Sequence, residues 1–273
     1  MPSPTPAELI GKIISWIHSP TELYPLLLVS RSFNHETERQ LYRDVVFDNE
    51  RQRWPLALEE SGLARVGVYI RSLRIQWYPI QWTEVLVKQL RSILSNAHNL
   101  AVLILRPKTY LAGEDIDILF RNPTDFLFQL RFLSTTMPLG HPAFIGFLYN
   151  QKCLTRLTWD AKGSTSGSQH RLGLPESLLP CPRGRFLPAV KIMACTAATL
   201  HVVEQVPSTR YVQFVGVHDP LEYGARSLPH VEGLSIHAQV ELHGLNPAIF
   251  VNIKMLAVRY CDVSARLYPA GLS

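Results

Sequence analysis

A short apolar pattern that returns along the chain constrains its fold more than any other feature. An apolar residue is followed by two of any type, a second apolar residue, one of any type and a third apolar residue. Seven segments carry it: Ile70-Leu73-Ile75, Leu100-Leu103-Leu105, Leu127-Leu130-Phe132, Leu154-Leu157-Trp159, Leu187-Val190-Ile192, Val231-Leu234-Ile236 and Ile253-Leu256-Val258, with a weaker copy at Val212-Phe214. Because alternate residues of a strand face the same side, each segment predicts a short strand with one buried face.

The spacing of these segments is more informative than any single match, because 47% of the residues are apolar. The central residues fall at positions 73, 103, 130, 157, 190, 212, 234 and 256, at intervals of 30, 27, 27, 33, 22, 22 and 22. These intervals lie in or just above the range of about 20 to 29 residues that is typical of leucine-rich repeats. The larger part of the chain therefore resembles irregular leucine-rich repeats, which stack parallel strands side by side.

Helix-start signals lie between the predicted strands. Thr83, His141-Pro142, Asp219-Pro220-Leu221-Glu222 and Asn246-Pro247 each combine a capping residue or a proline with a following apolar stretch. Each unit is therefore predicted to run strand, turn, helix or partial helix, and return. Residues 160–185 interrupt this order, since they are rich in Gly, Ser and Pro and predict a loop insertion.

The N-terminus carries a different repeated signal. Thr5-Pro6-Ala7-Glu8 and Ser19-Pro20-Thr21-Glu22 each read as a capping box with proline at the first helical position. Pro25 would delay or bend the second helix, and Asn34 could cap a third. Three such short helices carry more apolar surface than they can bury among themselves, which predicts a partner.

The residues that follow these signals resemble an F-box, especially the F-box-like modules of fungal proteins. The matching positions are Pro6, Glu8, Leu9, Ile13, Glu22, Leu23, Val29-Ser30-Arg31-Ser32-Phe33, Leu41-Tyr42-Arg43 and the strand-like Val45-Val46-Phe47. The resemblance covers about residues 4 to 47, and it departs from the family at Thr5, where leucine is usual, and at Pro25. It implies binding to the small Skp-type adaptor that links substrate receptors to the cullin of an SCF ubiquitin ligase.

We therefore expect an α/β chain in three parts. Residues 1–48 would form an F-box-like three-helix module, residues 49–68 a connecting segment, and residues 69–273 a solenoid of irregular leucine-rich-like repeats with a parallel strand ladder. The resemblance implies that the adaptor-binding residues are Pro6, Leu9, Ile13, Leu23, Val29 and Phe33. Alternation along the strands predicts that the residues facing an unknown protein substrate include Arg74, Thr158, Lys191, Ser235 and Ala257.

A second hypothesis keeps the repeats and drops the ligase. The N-terminal helices would then cap a repeat-based protein-binding scaffold with no link to ubiquitin. The charge is consistent with an acidic partner, because residues 1–50 carry a net charge of −3 and the remainder carries +8. The arginines are scattered, however, and the aromatic residues form no stacking motif, so nucleic-acid binding is not expected.

Motifs for catalysis or metal binding do not stand out. Residues 163–167 have threonine where a serine nucleophile would stand. His230, His237 and His243 lie close together in sequence, but we expect strand and turn geometry to separate them, so they predict no metal site. None of the four cysteines forms a C-x-x-C pair; we expect Cys153 to be buried and Cys195 to lie in a repeat turn. The sequence therefore predicts no enzyme, no cofactor and no metal.

The two ends of the chain predict where the protein is located and whether its gene product is shortened. The N-terminus lacks a basic n-region, and no apolar run reaches 18 residues, so we expect no membrane span and a place in the cytoplasm, the nucleus or both. Only fifteen residues follow the last predicted strand. Because an open repeat stack exposes an apolar edge, we expect a shortened gene product or a partner that covers this edge.

Overall fold

The computed structural model describes most of the first half of the chain and the strand regions of the second. These residues are 6–17, 19–47, 60–75, 82–106, 111–138, 141–159, 187–195, 203, 206–214, 228–237 and 252–259. The predicted insertion at 160–185, the helix starts at Asp219 and Asn246, and everything after Arg259 lie outside them. The chain divides into two compact units, Met1–Leu154 and Thr155–Ser273.

Unit 1 begins with three short helical segments, here called the N-terminal module. Helix α1 spans Ala7–Ser15, α2 spans Pro20–Leu23 and continues as a 3-10 turn over Tyr24–Leu28, and α3 spans Arg31–Leu41. The second α-helix ends just before Pro25, as expected for a residue without a backbone N–H. Since a 3-10 turn is tighter than an α-helix, the side chains that follow Leu23 face different directions from those that α-helical spacing predicts.

The structure corrects some of the helix N-caps that were predicted for the module. Pro6 is the N-cap of α1 rather than its first helical residue, because its carbonyl accepts the N–H groups of Leu9 and Ile10. Ser19 is the N-cap of α2 as predicted, although its hydroxyl lies 2.6 Å from that of Thr21 instead of capping the helix. Helix α3 is capped by Ser30, whose Oγ accepts from the N–H of Phe33.

Asn34, the residue predicted to cap a third helix, lies inside α3. Its Nδ2 donates to the carbonyl of Leu27 at 2.9 Å and so ties this helix to the 3-10 turn.

The rest of unit 1 alternates strands with helices. The strands are β1 (Asp44–Phe47), β2 (Ser72–Ile75), β3 (Val102–Leu105) and β4 (Phe132–Thr135), and the helices between and after them are α4 (Glu60–Val66), α5 (Glu84–Asn96), α6 (Gly113–Phe120) and α7 (Pro142–Asn150). Two further 3-10 turns occupy Gly67–Tyr69 and Pro123–Asp125. The four strands pair in parallel in chain order, with Val45, Leu73, Leu103 and Leu133 in register.

Local helix signals are confirmed where the structure describes them. The Oγ1 of Thr83 accepts the N–H of Leu86 at the start of α5, and Pro142 is the first residue of α7. The carboxylate of Asp115 accepts the N–H of Ala112, so the acidic start of α6 works as a cap. Each signal depends only on neighbouring residues, which explains its reliability.

Unit 2 contains a second parallel ladder. Its strands are β5 (Arg156–Trp159), β6 (Ile192–Cys195), β7 (Tyr211–Phe214), β8 (Gly233–His237) and β9 (Met255–Arg259). They pair in chain order, with Leu157, Met193, Val212, Leu234 and Leu256 in register. The prediction of parallel strands in sequence order is thus confirmed within each unit, and the predicted alternation of strands with helices is confirmed in unit 1.

Two predicted strands are displaced by three residues. Leu133, not Leu130, is the central residue of β4, and Met193, not Val190, is the central residue of β6. In β4 the third inward position is Thr135, which is fully buried and accepts the N–H of Met137 through its Oγ1. A pattern that counts only apolar residues misses this position and selects the apolar triplet just before it.

The predicted boundary between module and repeats does not appear as a break in unit 1. Strand β1 follows α3 directly and pairs with β2, so the ladder begins inside the segment assigned to the module. Helix α4 lies within the predicted connecting segment 49–68. Five buried phenylalanines continue the packing over the ladder: Phe120, Phe126, Phe128, Phe144 and Phe147. The centroids of neighbouring rings among them are 4.7 to 6.2 Å apart.

Candidate functional site

Helix α1 has one face that packs inside the module and another that meets solvent. Ile10 and Ile14 are buried and pack with Leu23 in a small core. Leu9, Ile13 and Trp16 are exposed, and Trp16 retains 69% of its surface. Their spacing of four and three residues places them along one side of the helix. Helix α1 is therefore apolar both on the side that packs in the core of the module and on the side that meets solvent.

The 3-10 turn adds further exposed apolar side chains. Tyr24, Leu28 and Val29 are all more than half exposed, and Leu28 retains 90% of its surface. We call the six exposed residues Leu9, Ile13, Trp16, Tyr24, Leu28 and Val29 the module apolar surface. A single exposed leucine on a protein needs no explanation, but six large apolar side chains within twenty-one residues indicate a binding surface.

The structure separates the six predicted adaptor-binding residues into two groups. Pro6, Leu9, Ile13 and Val29 are exposed. Leu23 is only 3% exposed and belongs to the core of the module, and Phe33 is half-buried against that core. These two side chains therefore support the module from inside and do not belong to the surface that a partner could meet.

Three residues of the module apolar surface were missed by the sequence prediction. Trp16 belongs to the same helical stripe as Leu9 and Ile13, so the helical period could have identified it. Tyr24 and Leu28 lie on the 3-10 turn. Their exposure depends on a change of helix type that the position of Pro25 suggests but does not fix.

A buried carboxylate fixes the module to the rest of unit 1. Glu38 on α3 is 8% exposed and forms an ion pair with Arg65 on α4. Tyr42 lies nearby. Burial raises the pKa of its phenol, and the charges of Glu38 and Tyr24 raise it further, while Arg65 acts in the opposite direction. The polar contact of α3 with the repeats is therefore specific rather than a loose surface pair.

The predicted substrate-facing residues occupy different kinds of position. In unit 1, Arg74 is exposed on β2. In unit 2, Ser235 is half-buried, Ala257 is exposed, and Thr158 is only 7% exposed although its strand position alternates with the inward residues.

Lys191 was placed on a strand by the displaced register. It is exposed, but it precedes β6, and Ala194, which is 2% exposed, holds the position that pairs with Thr158. Thr158 and Lys191 are therefore not equivalent to Arg74 and Ser235.

The cysteine predictions also change. Cys153 is exposed rather than buried. Cys195 is the last residue of β6 rather than a turn residue, because the strand lies three residues further along than predicted.

The part of the chain that the structure describes shows neither a candidate metal site nor a candidate membrane-spanning helix. There, no group of three or more His, Cys, Asp or Glu residues is arranged to hold a metal ion. Within the same residues, no helix combines the length and the apolar character that crossing a bilayer requires.

Comparison with known proteins does not assign the chain to a family. The sequence matches none of the protein-family models against which it was compared, and a search of curated proteins finds no match. A functional assignment therefore depends on the residues and contacts of the chain itself.

Proposed function

We propose that this chain is the substrate-receptor subunit of an SCF-type E3 ubiquitin ligase. Its N-terminal module would bind the Skp-type adaptor and, through it, the cullin, while its repeats would bind a protein substrate. The module apolar surface is the observation that carries this proposal. It lies within the residues that resemble an F-box, and it stays exposed although Ile10, Ile14 and Leu23 already provide the module with its own core.

The energetics favour an apolar partner at this surface. Removing apolar area from water stabilises a complex by roughly 25 cal/mol per Å² before the costs of association are subtracted. Trp16 and Leu28 are the most exposed large side chains of the module and are therefore the strongest candidates for anchoring residues. Tryptophan in particular is frequent among residues that dominate binding energy.

The chain would act by proximity rather than by chemistry. A receptor that holds its substrate next to a ubiquitin-loaded enzyme raises the local concentration of the reacting groups. The repeats supply positions for the substrate, among them Arg74 on the ladder of unit 1 and Ser235 on that of unit 2. Such a receptor would work in the cytoplasm, the nucleus or both.

A protein-binding scaffold without a ligase is the second candidate. The pairing of β1 with β2 favours it, because a module that leads directly into the ladder could serve as the N-terminal cap of the repeats. In that case the module apolar surface would bind a different protein. The two candidates differ in whether the adaptor and cullin associate with the chain.

Co-precipitation from cells separates them. The tagged full chain is compared with Ile13→Asp, which places a charge on the module apolar surface, and with Val85→Asp, which places the same charge on an exposed apolar residue of α5. We expect adaptor and cullin to accompany the wild type and Val85→Asp but not Ile13→Asp. If neither protein accompanies the wild-type chain, the ligase assignment is wrong and the scaffold remains.

A further inference from the structure

A cleft in unit 1 lies where the module meets the start of the ladder. It has a volume of about 630 Å³ and is lined by α1, α3 and the residues around the entry to β2. That volume is within the range of small-ligand and peptide-side-chain pockets. Arg39, Arg43 and Arg71 line it, together with the two carboxylates Glu8 and Glu36.

Two of these arginines, Arg43 and Arg71, belong to a row that the parallel register creates. The residues immediately before β1, β2, β3 and β4 are Arg43, Arg71, Ala101 and Arg131, which we call the entry row. Each member after the first donates its backbone N–H to the carbonyl of the preceding member, at 2.9 Å for Arg71 to Arg43. Because neighbouring strands are about 4.8 Å apart, Arg43 and Arg71 lie side by side at the cleft although 28 residues separate them in sequence.

The charged side chains that line the cleft differ in how closely they are paired with opposite charges. Glu36 lies 3.5 Å from Arg39 and also from His35, so it is already paired. Arg43 has only a distant contact with Asp44, at 3.9 Å between two exposed side chains, which contributes little. Arg71 forms no ion pair among the residues that the structure describes. Two neighbouring guanidinium groups are thus available to an anion.

Unit 2 shows what a partly neutralised row looks like. There the residues before β6, β7, β8 and β9 are Lys191, Arg210, Glu232 and Lys254. Glu232 lies 3.7 Å from Arg210 and 3.4 Å from Lys254, so one carboxylate serves both cations. The entry row of unit 1 has no acid between its basic residues, since Ala101 follows Arg71. The entry row of unit 1 therefore lacks a carboxylate that the equivalent row of unit 2 contains.

We propose that this cleft binds an acidic peptide segment of a protein partner, with a carboxylate of that segment held by Arg43 and Arg71. A guanidinium group matches a carboxylate through two parallel hydrogen bonds, so two arginines can fix one acidic side chain and its neighbour. Gln40 and Asn99 line the same cleft. The Nδ2 of Asn99 already donates to the carbonyl of Val68, so the amide of Gln40 and the Oδ1 of Asn99 can bond to a peptide backbone. Its role in substrate recognition rests on the proposed function, whereas the binding itself does not require the adaptor.

A peptide fits this cleft better than a nucleic acid. Glu8 and Glu36 would repel an uninterrupted row of phosphates, whereas a peptide can place its carboxylates at the arginines and its N–H groups at the acids. Among the residues that line the cleft, Tyr69 is the single aromatic one, so the cleft lacks the series of rings on which successive bases stack.

The test is a binding titration of the full chain. The probe is a labelled peptide of alternating glutamate and serine, and its binding is followed by fluorescence anisotropy at about 0.1 M salt. The comparison ligands are the same peptide with glutamine in place of glutamate and a single-stranded oligothymidylate. Arg43→Gln/Arg71→Gln is compared with Arg210→Gln/Lys254→Gln, which removes the same charge from unit 2. Circular dichroism checks that both double variants fold.

We expect the Arg43→Gln/Arg71→Gln variant to bind the acidic peptide at least about tenfold more weakly and the unit 2 variant to bind within about twofold of wild type. Glu8 has no ion pair within the part of the chain that the structure describes, so Glu8→Gln removes a repelling carboxylate from the cleft and should tighten binding by about twofold to threefold. Equal losses in both double variants, or equal binding of the glutamine peptide, would show an unspecific charge effect and overturn the proposal. Tighter binding of oligothymidylate that depends on Arg43 and Arg71 would overturn it in favour of a nucleic-acid site.

Discussion

Glu38 on α3 and Arg65 on α4 form an ion pair that joins the N-terminal module to the repeats of unit 1. Glu38 is mostly buried, whereas Arg65 is exposed on its outer side. The module is therefore held to helix α4 by a charged contact as well as by the chain itself. A partner bound to the module would consequently be held in a defined position relative to the ladder of unit 1.

Removing Arg65 tests that contact. Arg65→Ala leaves the carboxylate of Glu38 without its partner, and we expect the free energy of unfolding to fall by about 1 to 2 kcal/mol, because a partly buried charge loses its compensation. Lys88→Ala, which breaks the exposed pair of Lys88 with Glu84 on α5, is the matched control and should cause no measurable change. Urea denaturation of both variants gives the values. Equal stability of Arg65→Ala and wild type would show that the contact does not hold the module.

Leu23 and Leu28 distinguish the core of the module from its surface. Leu23→Ala should reduce the free energy of unfolding by about 2 to 4 kcal/mol, since it opens a cavity among Ile10, Ile14 and its other neighbours. Leu28→Ala changes a residue that is 90% exposed and should leave stability within about 0.5 kcal/mol. Thermal and urea unfolding measure both. A larger loss for Leu28→Ala than for Leu23→Ala would contradict the assignment of these two side chains.

The raised pKa of Tyr42 predicts how the stability of the folded chain changes at high pH. Its pKa is raised in the folded chain by burial and then by the charges of Glu38 and Tyr24, so the folded state keeps the phenolic proton after the unfolded state has lost it. The unfolded state then binds fewer protons, and stability must fall as the pH rises above the ordinary tyrosine value of about 10. Tyr42→Phe removes this contribution. We expect the variant to lose less stability than wild type as the pH is raised from about 9.5 to about 11.5, measured by urea denaturation at each pH. Equal losses of stability in wild type and Tyr42→Phe would contradict this role of the Tyr42 phenol.

Local signals in the sequence predict a large part of the fold. Thr83 and Pro142 mark helix starts because capping and proline geometry depend on a few neighbouring residues. The repeated apolar pattern predicts the strands because each one buries the same face. It fails by three residues at β4, since Thr135 is buried with its hydroxyl bonded and so fills an inward position without being apolar. It fails by the same distance at β6, for which the structure offers no such reason.

The site depends more on contacts that are distant in sequence. Arg43 and Arg71 become neighbours only through the pairing of β1 with β2, and β1 was assigned to the end of the module rather than to the ladder. Leu23 and Phe33 were predicted to bind an adaptor because the resemblance to an F-box implies it, and a resemblance does not tell an inner face from an outer one. In the structure, packing with Ile10 and Ile14 places them at the core of the module.

Titration of the purified chain with a purified Skp-type adaptor tests the central claim most directly. Isothermal calorimetry would compare wild type, Trp16→Asp and the control Val85→Asp, after circular dichroism has shown that all three fold. We expect wild type and Val85→Asp to bind with equal affinity and Trp16→Asp to bind at least about a hundredfold more weakly, because a charge would replace the most exposed aromatic residue of α1. Absence of binding by the wild-type chain, or unchanged binding by Trp16→Asp, would contradict an adaptor-binding role for the module apolar surface.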